Sequence, residues 1–175
     1  MGQQAVGSPT PYTHYLTLAS SAWASSNVGV DGETLAMMLA NYPTIVAPLK
    51  QPGGKNVVVI WGGTNDISVS NTTPAATYAI LANYISAAHA SGFKVIVPTM
   101  LSRLNQDANK NSYNALILAN SGGADAIADF TGTALGCNGC YASATWFNAD
   151  GIHPTTIAIN QIEAAVISNA VAALP

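Results

Sequence analysis

Charged side chains are scarce in this chain, and positively charged ones are the scarcest. Only 7% of its 175 residues are Asp, Glu, Lys or Arg, whereas such residues make up about 25% of an average globular domain. Four Lys and one Arg leave a formal net charge of -3, and so few cations cannot neutralise a row of phosphates. We therefore expect no nucleic-acid partner.

Long apolar runs are missing as well. The longest, such as Val57 to Trp61, fall far short of the ~20 residues that a membrane helix needs. Met1 to Gln4 lack the positive start and the apolar stretch of a signal peptide. We expect no membrane partner, and we expect residues 1–175 to form a single domain, because this length buries a core without covalent cross-links.

Cysteine is rare, and its two copies, Cys137 and Cys140, are three positions apart. A zinc site would need further ligands, but His14, His89 and His153 are scattered along the chain. We expect no metal or organic cofactor, and the cysteines form either a local disulfide or a free pair. A disulfide, together with the low lysine content, favours an oxidising compartment, secreted or periplasmic.

The chain instead alternates β-branched runs with helical patterns. Strands are predicted at 26–30, 56–61, 93–99 and 124–130. Helices are predicted at about 11–22, at 34–42 before Pro43 and Pro48, and from Thr73 to Gly92. A further helix is predicted around Tyr113, Leu116 and Ile117, and the last helix has an apolar stripe of Ile159, Ile162, Val166 and Ala170. Strands separated by helices imply right-handed crossovers and a mostly parallel sheet. The expected fold is a three-layer α/β/α sandwich, whose ligands bind at the carboxyl ends of the strands.

One polar motif, Gly62-Gly63-Thr64-Asn65-Asp66, directly follows the apolar run 56–61. Glycines permit a sharp turn there, and the asparagine amide can point across the sheet edge. Taken alone, the motif is typical of an Asx turn, with Asp66 as a carboxylate that stabilises the turn.

A second motif, Asp150-Gly151-Ile152-His153-Pro154, precedes the last helix. A carboxylate three positions before an imidazole can accept its Nδ1 proton and leave Nε2 as a base. The alternative is an Asp-Gly turn that leads into a capped helix. Nearby aromatic residues, Trp146 among them, either line a substrate pocket or belong to the core.

Together these motifs resemble the SGNH, or GDSL-type, serine hydrolases, a family of esterases and lipases on a flavodoxin-like α/β/α sandwich. The stretch from Gly63 to Asp66 is similar to the family's G-x-N-D block, Asp150 and His153 match its D-x-x-H block, and residues 27–34 look like the segment that supplies a glycine.

The resemblance implies a role for each matching residue. His153 would be the general base and Asp150 its orienting carboxylate, while the Gly29 N–H and the Asn65 side chain would donate to the oxyanion. Gly63, Thr64 and Trp146 would lie against the substrate, a small ester or an acylated carbohydrate. Donors aimed at developing negative charge are each worth roughly 10²- to 10³-fold in rate.

The sequence departs from the family pattern at the nucleophile, because it contains no Gly-Asp-Ser tripeptide. Met1-Gly2 looks like the tail of the longer family signature, G-D-S-x-T-x-G, which would place the serine upstream of Met1. The alternative nucleophile is Ser8, but only two apolar residues precede it and Pro9 removes a backbone donor after it.

The first strand of the family, which ends in this Gly-Asp-Ser tripeptide, is also missing from the sequence. In the family this strand lies inside the sheet, whose strands have the spatial order 2-1-3-4-5. Its absence would leave unpaired backbone groups that each cost about 1 to 3 kcal/mol when buried. Three arrangements would avoid this cost: residues 26–30 pair with 57–61, residues Gln3 to Val6 fill the position, or a second copy donates a strand in a homodimer.

The sequence thus supports two functions from different classes. One is an SGNH-type ester hydrolase whose nucleophile is missing or displaced, and the other is a catalytically impaired binding module, for glycans as an example. A metal-dependent hydrolase that uses Asp150 and His153 is disfavoured because further ligands are too few.

Overall fold

The computed structural model describes residues 11–16 and 23–174. The predictions for Ser8, for Gln3 to Val6 and for residues 17–22 of the first expected helix lie outside these residues.

The described residues contain one sheet of three parallel strands, in the order β1-β2-β3. These strands are β1 (Val57–Val59), β2 (Lys94–Pro98) and β3 (Ala126–Ala128). In the register, Val58 lies opposite Val95, and Ile96 lies opposite Ala126. Three of the four predicted strands are confirmed, each within a shorter range, as expected for apolar runs of a buried parallel sheet.

Helices cover both faces of this sheet. They are α1 (Leu35–Ile45), α2 (Thr64–Ser68), α3 (Pro74–Ala90), α4 (Asp107–Ala119), α5 (Thr156–Ala158) and α6 (Ala164–Ala172), with a π-helical turn (Ile159–Glu163) joining the last two and 3₁₀ turns at Tyr12–His14, Ala47–Leu49 and Cys140–Ala142. Thr34, Thr73 and Thr155 cap α1, α3 and α5, because each hydroxyl accepts a hydrogen bond from a first-turn N–H.

Side chains of β2 alternate between two apolar cores. Val95 and Val97 belong to the core that α1, α3 and α4 cover, whereas Ile96 belongs to the core that α6 covers. Alternation on a central strand with both faces buried requires a helical layer on each side. The α/β/α sandwich predicted from the sequence is therefore confirmed.

Two predictions near the start of the described chain are wrong. Only Tyr12–His14 form a helical turn, of the 3₁₀ type, in the described part of the first expected helix. Residues 26–30 form no strand and do not pair with β1, so the first arrangement that would close the sheet does not occur. Extended backbone forms a strand only where a partner accepts its hydrogen bonds, and this segment has none among the described strands.

The expected interruption at Pro43 is also wrong, because α1 continues through this residue to Ile45. The helical hydrogen bonding resumes beyond it, since the Val46 N–H donates to the Tyr42 carbonyl at 3.0 Å.

The apolar stripe predicted for the last helix faces the core. Ile159 and Ala170 are buried, and the half-buried Ile162 and Val166 pack against the same core. A π turn inserts one residue into the helical repeat, and Glu163 and Ile167 are buried beside the stripe.

Candidate active site

Asp150 and His153 lie together in the loop before α5. The His153 Nδ1 atom is 2.8 Å from the Asp150 Oδ2 atom, and the side chains are 29% and 33% exposed. Gly151 has a φ of 63°, a left-handed conformation that favours glycine. The loop is closed by Asn148, whose N–H donates to the His153 carbonyl at 2.8 Å. The predicted pair is thus formed, and it is open to solvent.

The Asp150 carboxylate accepts hydrogen bonds with both oxygens. Its Oδ1 atom accepts from the backbone N–H groups of Ile152 (2.8 Å) and His153 (3.0 Å). Burial alone would raise the pKa of Asp150, but the hydrogen bonds to the His153 ring and to the two backbone N–H groups outweigh it and lower that pKa. Asp150 is therefore held ionised, as an acceptor for the imidazole Nδ1–H must be.

The loop that contains the cysteines supports this turn. Cys137 and Cys140 form a disulfide, which confirms one of the two states expected for them. On one side of the disulfide, the buried Lys110 ammonium donates a hydrogen bond to the Gly136 carbonyl at 2.6 Å. On the other side, Tyr141 packs beside Gly151 of the Asp150 turn. The position of the Asp150 loop thus depends on a cross-linked segment.

The other motif begins where β1 leaves the sheet. Gly63 has a φ of 107° and caps α2, and the Tyr113 ring lies so close that a Cβ atom on Gly63 would be 2.6 Å from Cε1. The motif is thus the start of a short helix and not the isolated Asx turn that it suggests when taken alone. The Asn65 Nδ2 atom donates to the Glu33 carbonyl at 3.0 Å.

Asp66 has a different structural role from the expected one. Its buried carboxylate accepts the Leu35 N–H at 3.1 and 3.0 Å, so it caps the first turn of α1 instead of its own turn. A carboxylate at a helix N-terminus is stabilised by the unsatisfied N–H groups there. Asn65 and Asp66 together fix the chain at Glu33 and Leu35 against the carboxyl end of β1.

A small cavity joins the two motifs. Its volume is about 30 Å³, and it is lined by Trp61, Gly62, Thr64, Met100, Leu101, Ser102, Arg103 and Ile152. Thr64 comes from the G-x-N-D motif and Ile152 from the D-x-x-H motif, so the structure brings both to one edge of the sheet. This edge is the carboxyl end of the parallel strands, as the fold predicts.

Arg103 belongs to this site, although sequence reasoning missed it. It is half-buried, and one guanidinium nitrogen donates to the Thr64 hydroxyl at 3.0 Å. Burial lowers the pKa of Arg103, and the nearby Asp150 charge partly opposes that shift. The available signal was its rarity, because it is the one arginine of the chain and follows β2 at the ligand-binding edge.

Other predicted site residues lie elsewhere or serve the core. Gly29 is exposed, its N–H donates to the Asn27 side chain at 3.1 Å, and it lines a different cavity, beside β1. Trp146 is half-buried against the core under α6. Trp61, by contrast, lines the small cavity and also stacks on the core residue Phe130, with 5.1 Å between ring centroids. The structure therefore does not bring the Gly29 N–H into the cavity that Thr64 and Arg103 line.

Residues 11–16 and 23–174 contain no group of three His, Cys, Asp or Glu side chains placed to hold a metal ion. Within the same residues, no helix has the length and apolar character to cross a membrane.

Comparison with known proteins places this geometry in a family. The family model of the GDSL-like Lipase/Acylhydrolase family matches residues 2–157. No curated protein sequence matches the chain.

Solved structures share the fold. A GDSL-like lipase from Bacteroides thetaiotaomicron VPI-5482 is 20% identical with a TM-score of 0.62, over 82% of this chain and 73% of that one. TesA is 25% identical with a TM-score of 0.63, over 81% and 75%. A carbohydrate esterase family 3 protein from Talaromyces cellulolyticus is 21% identical with a TM-score of 0.59, over 87% and 76%. The family match over most of the sequence, with these folds, shows that the chain belongs to the GDSL-like lipase/acylhydrolase family, and it is by this resemblance an SGNH-type ester hydrolase.

Proposed function

We propose that this chain cleaves small carboxylic or carbohydrate acyl esters with His153 as the general base. The observation that carries the proposal is the 2.8 Å contact between the His153 Nδ1 and Asp150 Oδ2 atoms. This contact holds the Nδ1–H tautomer, so the lone pair on Nε2 is available to accept a proton.

The chemistry follows from that tautomer. Nε2 removes the proton of the attacking hydroxyl, the imidazolium that forms is stabilised by the Asp150 carboxylate, and the same proton then passes to the leaving alcohol. The Asn65 amide has two N–H donors, and the contact with the Glu33 carbonyl uses one of them. The second is the donor that we assign to the oxyanion. The family resemblance implies the Gly29 N–H as a further donor, but this group donates to the Asn27 side chain, so we assign it no role at the oxyanion.

A short acyl group suits the small cavity. Its volume of about 30 Å³ and the apolar side chains of Trp61, Met100 and Ile152 among its lining match a group of a few atoms, such as the methyl end of an acetyl ester. The Talaromyces protein is named as a carbohydrate esterase, which makes acetylated saccharides the substrates to assay after simple acetyl esters.

A binding module without turnover is the second candidate, because the chain has no Gly-Asp-Ser tripeptide. It would retain the cavity and the oxyanion donors while lacking the nucleophile. Removal of the serine from a complete triad costs on the order of 10⁶ in kcat, so assays of turnover separate the two functions clearly.

Hydrolysis of p-nitrophenyl acetate by the wild type, His153→Ala and Ser8→Ala tests the proposal. The matched control is His89→Ala, because His89 also contacts an aspartate, Asp125, at 2.8 Å. We expect loss of turnover in His153→Ala and retention in His89→Ala. Additional loss in Ser8→Ala would identify Ser8 as the nucleophile.

Two results would count against hydrolysis. Absence of turnover in the wild type, with binding of acetylated saccharides retained, supports the binding module. Equal loss in both histidine variants would show that the effect comes from folding and not from a general base.

A further inference from the structure

The half-buried carboxylate of Asp107, at the start of α4, joins three segments of the chain. Its Oδ1 atom accepts the Ser102 hydroxyl at 3.0 Å and lies 3.2 Å from the Lys110 Nζ atom. Its Oδ2 atom accepts the Gly139 N–H at 2.6 Å. Asp107 therefore connects the segment after β2, helix α4 and the loop that contains the disulfide.

Lys110 extends these contacts along residues 136–141, which we name the cysteine loop. Its side chain is 1% exposed, and its ammonium donates to the Gly136 carbonyl at 2.6 Å and to the Asn138 side chain at 3.1 Å. A buried ammonium is costly unless its donors find acceptors. Displacement of the cysteine loop would remove two of these acceptors, so the buried charge of Lys110 holds the loop against α4.

Ser102 is the member of this network that reaches the small cavity. It is buried, and it lines the cavity between Leu101 and Arg103, which line it as well. Its hydroxyl donates its only proton to Asp107 and accepts the Tyr141 N–H at 3.2 Å. The hydroxyl thus joins the cavity wall to the cysteine loop, and it has no proton left to donate to a substrate.

Two further contacts hold the same part of the site. The Ser102 N–H donates to the Leu135 carbonyl at 2.7 Å. The Tyr141 ring lies beside Gly151 of the Asp150 turn, where a Cβ atom on the glycine would be 3.4 Å from Cδ2. The network therefore supports the cavity wall and the Asp150 turn at the same time.

A fixed wall matters because the cavity is small. Its volume of about 30 Å³ has room for the methyl end of an acetyl group, and a longer acyl chain enters only if part of the wall moves. A pocket that accepts or refuses one methylene group changes relative rates by roughly 10- to 200-fold. The side of the wall at Ser102 is held by hydrogen bonds to Asp107 and to the cysteine loop, so the strength of those bonds bears on acyl length.

We propose that Asp107 is a positioning residue that restricts the substrate to acetyl esters. It holds Ser102 and the cysteine loop in place and thereby keeps the cavity closed to propionyl and butyryl groups. Asp107 is not among the residues that line the cavity, so it acts through Ser102. This inference rests on ester hydrolysis as the proposed function and adds the residue that determines acyl length.

Steady-state kinetics with p-nitrophenyl acetate and p-nitrophenyl butyrate test the proposal. Asp107→Asn keeps the shape of the side chain but turns one acceptor oxygen into a donor, so the contacts with Ser102, Lys110 and Gly139 cannot all persist. We expect kcat/KM for the acetate, relative to that for the butyrate, to fall by roughly tenfold. Ser102→Ala should lower the same ratio, and the double variant should lower it little further, because both changes act on one wall.

Asp125→Asn is the matched control. The Asp125 carboxylate also bonds to a lysine, Lys94, at 2.7 Å and to a backbone N–H group, that of Val95, at 2.8 Å. Asp125 directly precedes β3 and Lys94 begins β2, so this pair lies at the opposite edge of the sheet from the cavity. Asp125→Asn should leave the ratio of acetate to butyrate hydrolysis unchanged.

Amide hydrogen exchange measured by NMR tests the contacts without any turnover. Asp107→Asn should speed exchange at the Gly139 and Tyr141 amides by about tenfold, because the first loses its acceptor and the second loses the support of Ser102. Ser102→Ala should speed exchange at Tyr141 alone. The Val95 amide should respond only to Asp125→Asn.

An active wild type that cleaves both esters equally well overturns the proposal, as does an unchanged ratio in Asp107→Asn. An equal fall of the ratio in Asp125→Asn also overturns it, because the change then reflects a general loss of stability. Unchanged exchange at Gly139 and Tyr141 would show that Asp107 does not hold the cysteine loop. Absence of turnover of both esters in the wild type would instead refute the proposed function, and the acyl preference with it.

Discussion

The Arg103 guanidinium donates a hydrogen bond to the Thr64 hydroxyl, 3.0 Å away. Arg103 follows β2 and Thr64 begins α2 after β1, so this contact joins the carboxyl ends of two neighbouring strands. Asp150 lies close enough for its charge to affect the pKa of Arg103. A single side chain thus connects the G-x-N-D motif with the Asp150 and His153 pair.

Replacement of Arg103 by glutamine should reduce kcat/KM for acetyl esters by roughly 10- to 100-fold, since a hydrogen bond to a charged group is worth about 1.5 to 3 kcal/mol. Thr64→Val removes the partner, and the double variant should lose little more than either single one. Steady-state kinetics of the four proteins give this coupling. Lys50→Gln, on the exposed surface, is the control. Additive losses in the double variant would show that the contact has no functional role.

Replacement of Asp150 by asparagine should reduce kcat by up to about 10⁴-fold, because an amide that donates to Nδ1 favours the wrong imidazole tautomer. The ¹⁵N chemical shifts of the His153 ring report the tautomer directly. Asp125→Asn changes the other His–Asp contact and should leave kcat unchanged. An unaltered His153 tautomer in Asp150→Asn would contradict the assigned role of Asp150.

The sequence predicted the elements whose signals are local. The helix predicted from Thr73 to Gly92 and the strand predicted from the β-branched run of β1 are both observed, because helical periodicity and burial on both faces depend on a few neighbouring residues. The contact of Asp150 with His153 was also predictable, since three positions separate the two side chains. These interactions need no knowledge of distant parts of the chain.

Features that depend on distant contacts were missed. Arg103 meets Thr64 across 39 positions of sequence, and Asp66 caps α1 across 31, so no local pattern reveals either role. The predicted strand at 26–30 failed for the same reason, because strand formation depends on a partner and not on the extended pattern alone. The π turn before α6 was also not predicted, because a regular helical period does not indicate an inserted residue.

Removal of the disulfide should impair the site more than the fold. A chain-entropy model gives about 2 kcal/mol for closing so short a loop, while Tyr141, directly after Cys140, packs beside Gly151 of the Asp150 turn. A variant with both cysteines replaced by serine should therefore lose several-fold in kcat with only a modest fall in Tm. Thermal unfolding and ester hydrolysis measured on the same samples check this. A large fall in Tm with unchanged kcat would contradict it.

Glu163 should make the protein less stable as the pH rises. This glutamate is buried in the π turn, its Oε2 atom has no hydrogen-bond partner among the described residues, and burial raises its pKa to about 8. The ordinary value is 4.5, so the folded protein binds a proton that the unfolded chain releases between these two values. The stabilisation from that proton is complete below pH 4.5 and is lost as the pH rises through about 8.

Glu163→Gln keeps the shape of the side chain and removes the titrating group. We expect the variant to be more stable than the wild type at pH 7, by on the order of 1 to 3 kcal/mol, and the difference to vanish near pH 4. Urea unfolding at a series of pH values measures it, and Asp31→Asn, at an exposed carboxylate, is the control. A difference in stability between the wild type and Glu163→Gln that does not change across this pH range would contradict the prediction, because it would mean that the pKa of Glu163 is the same in the folded and the unfolded protein.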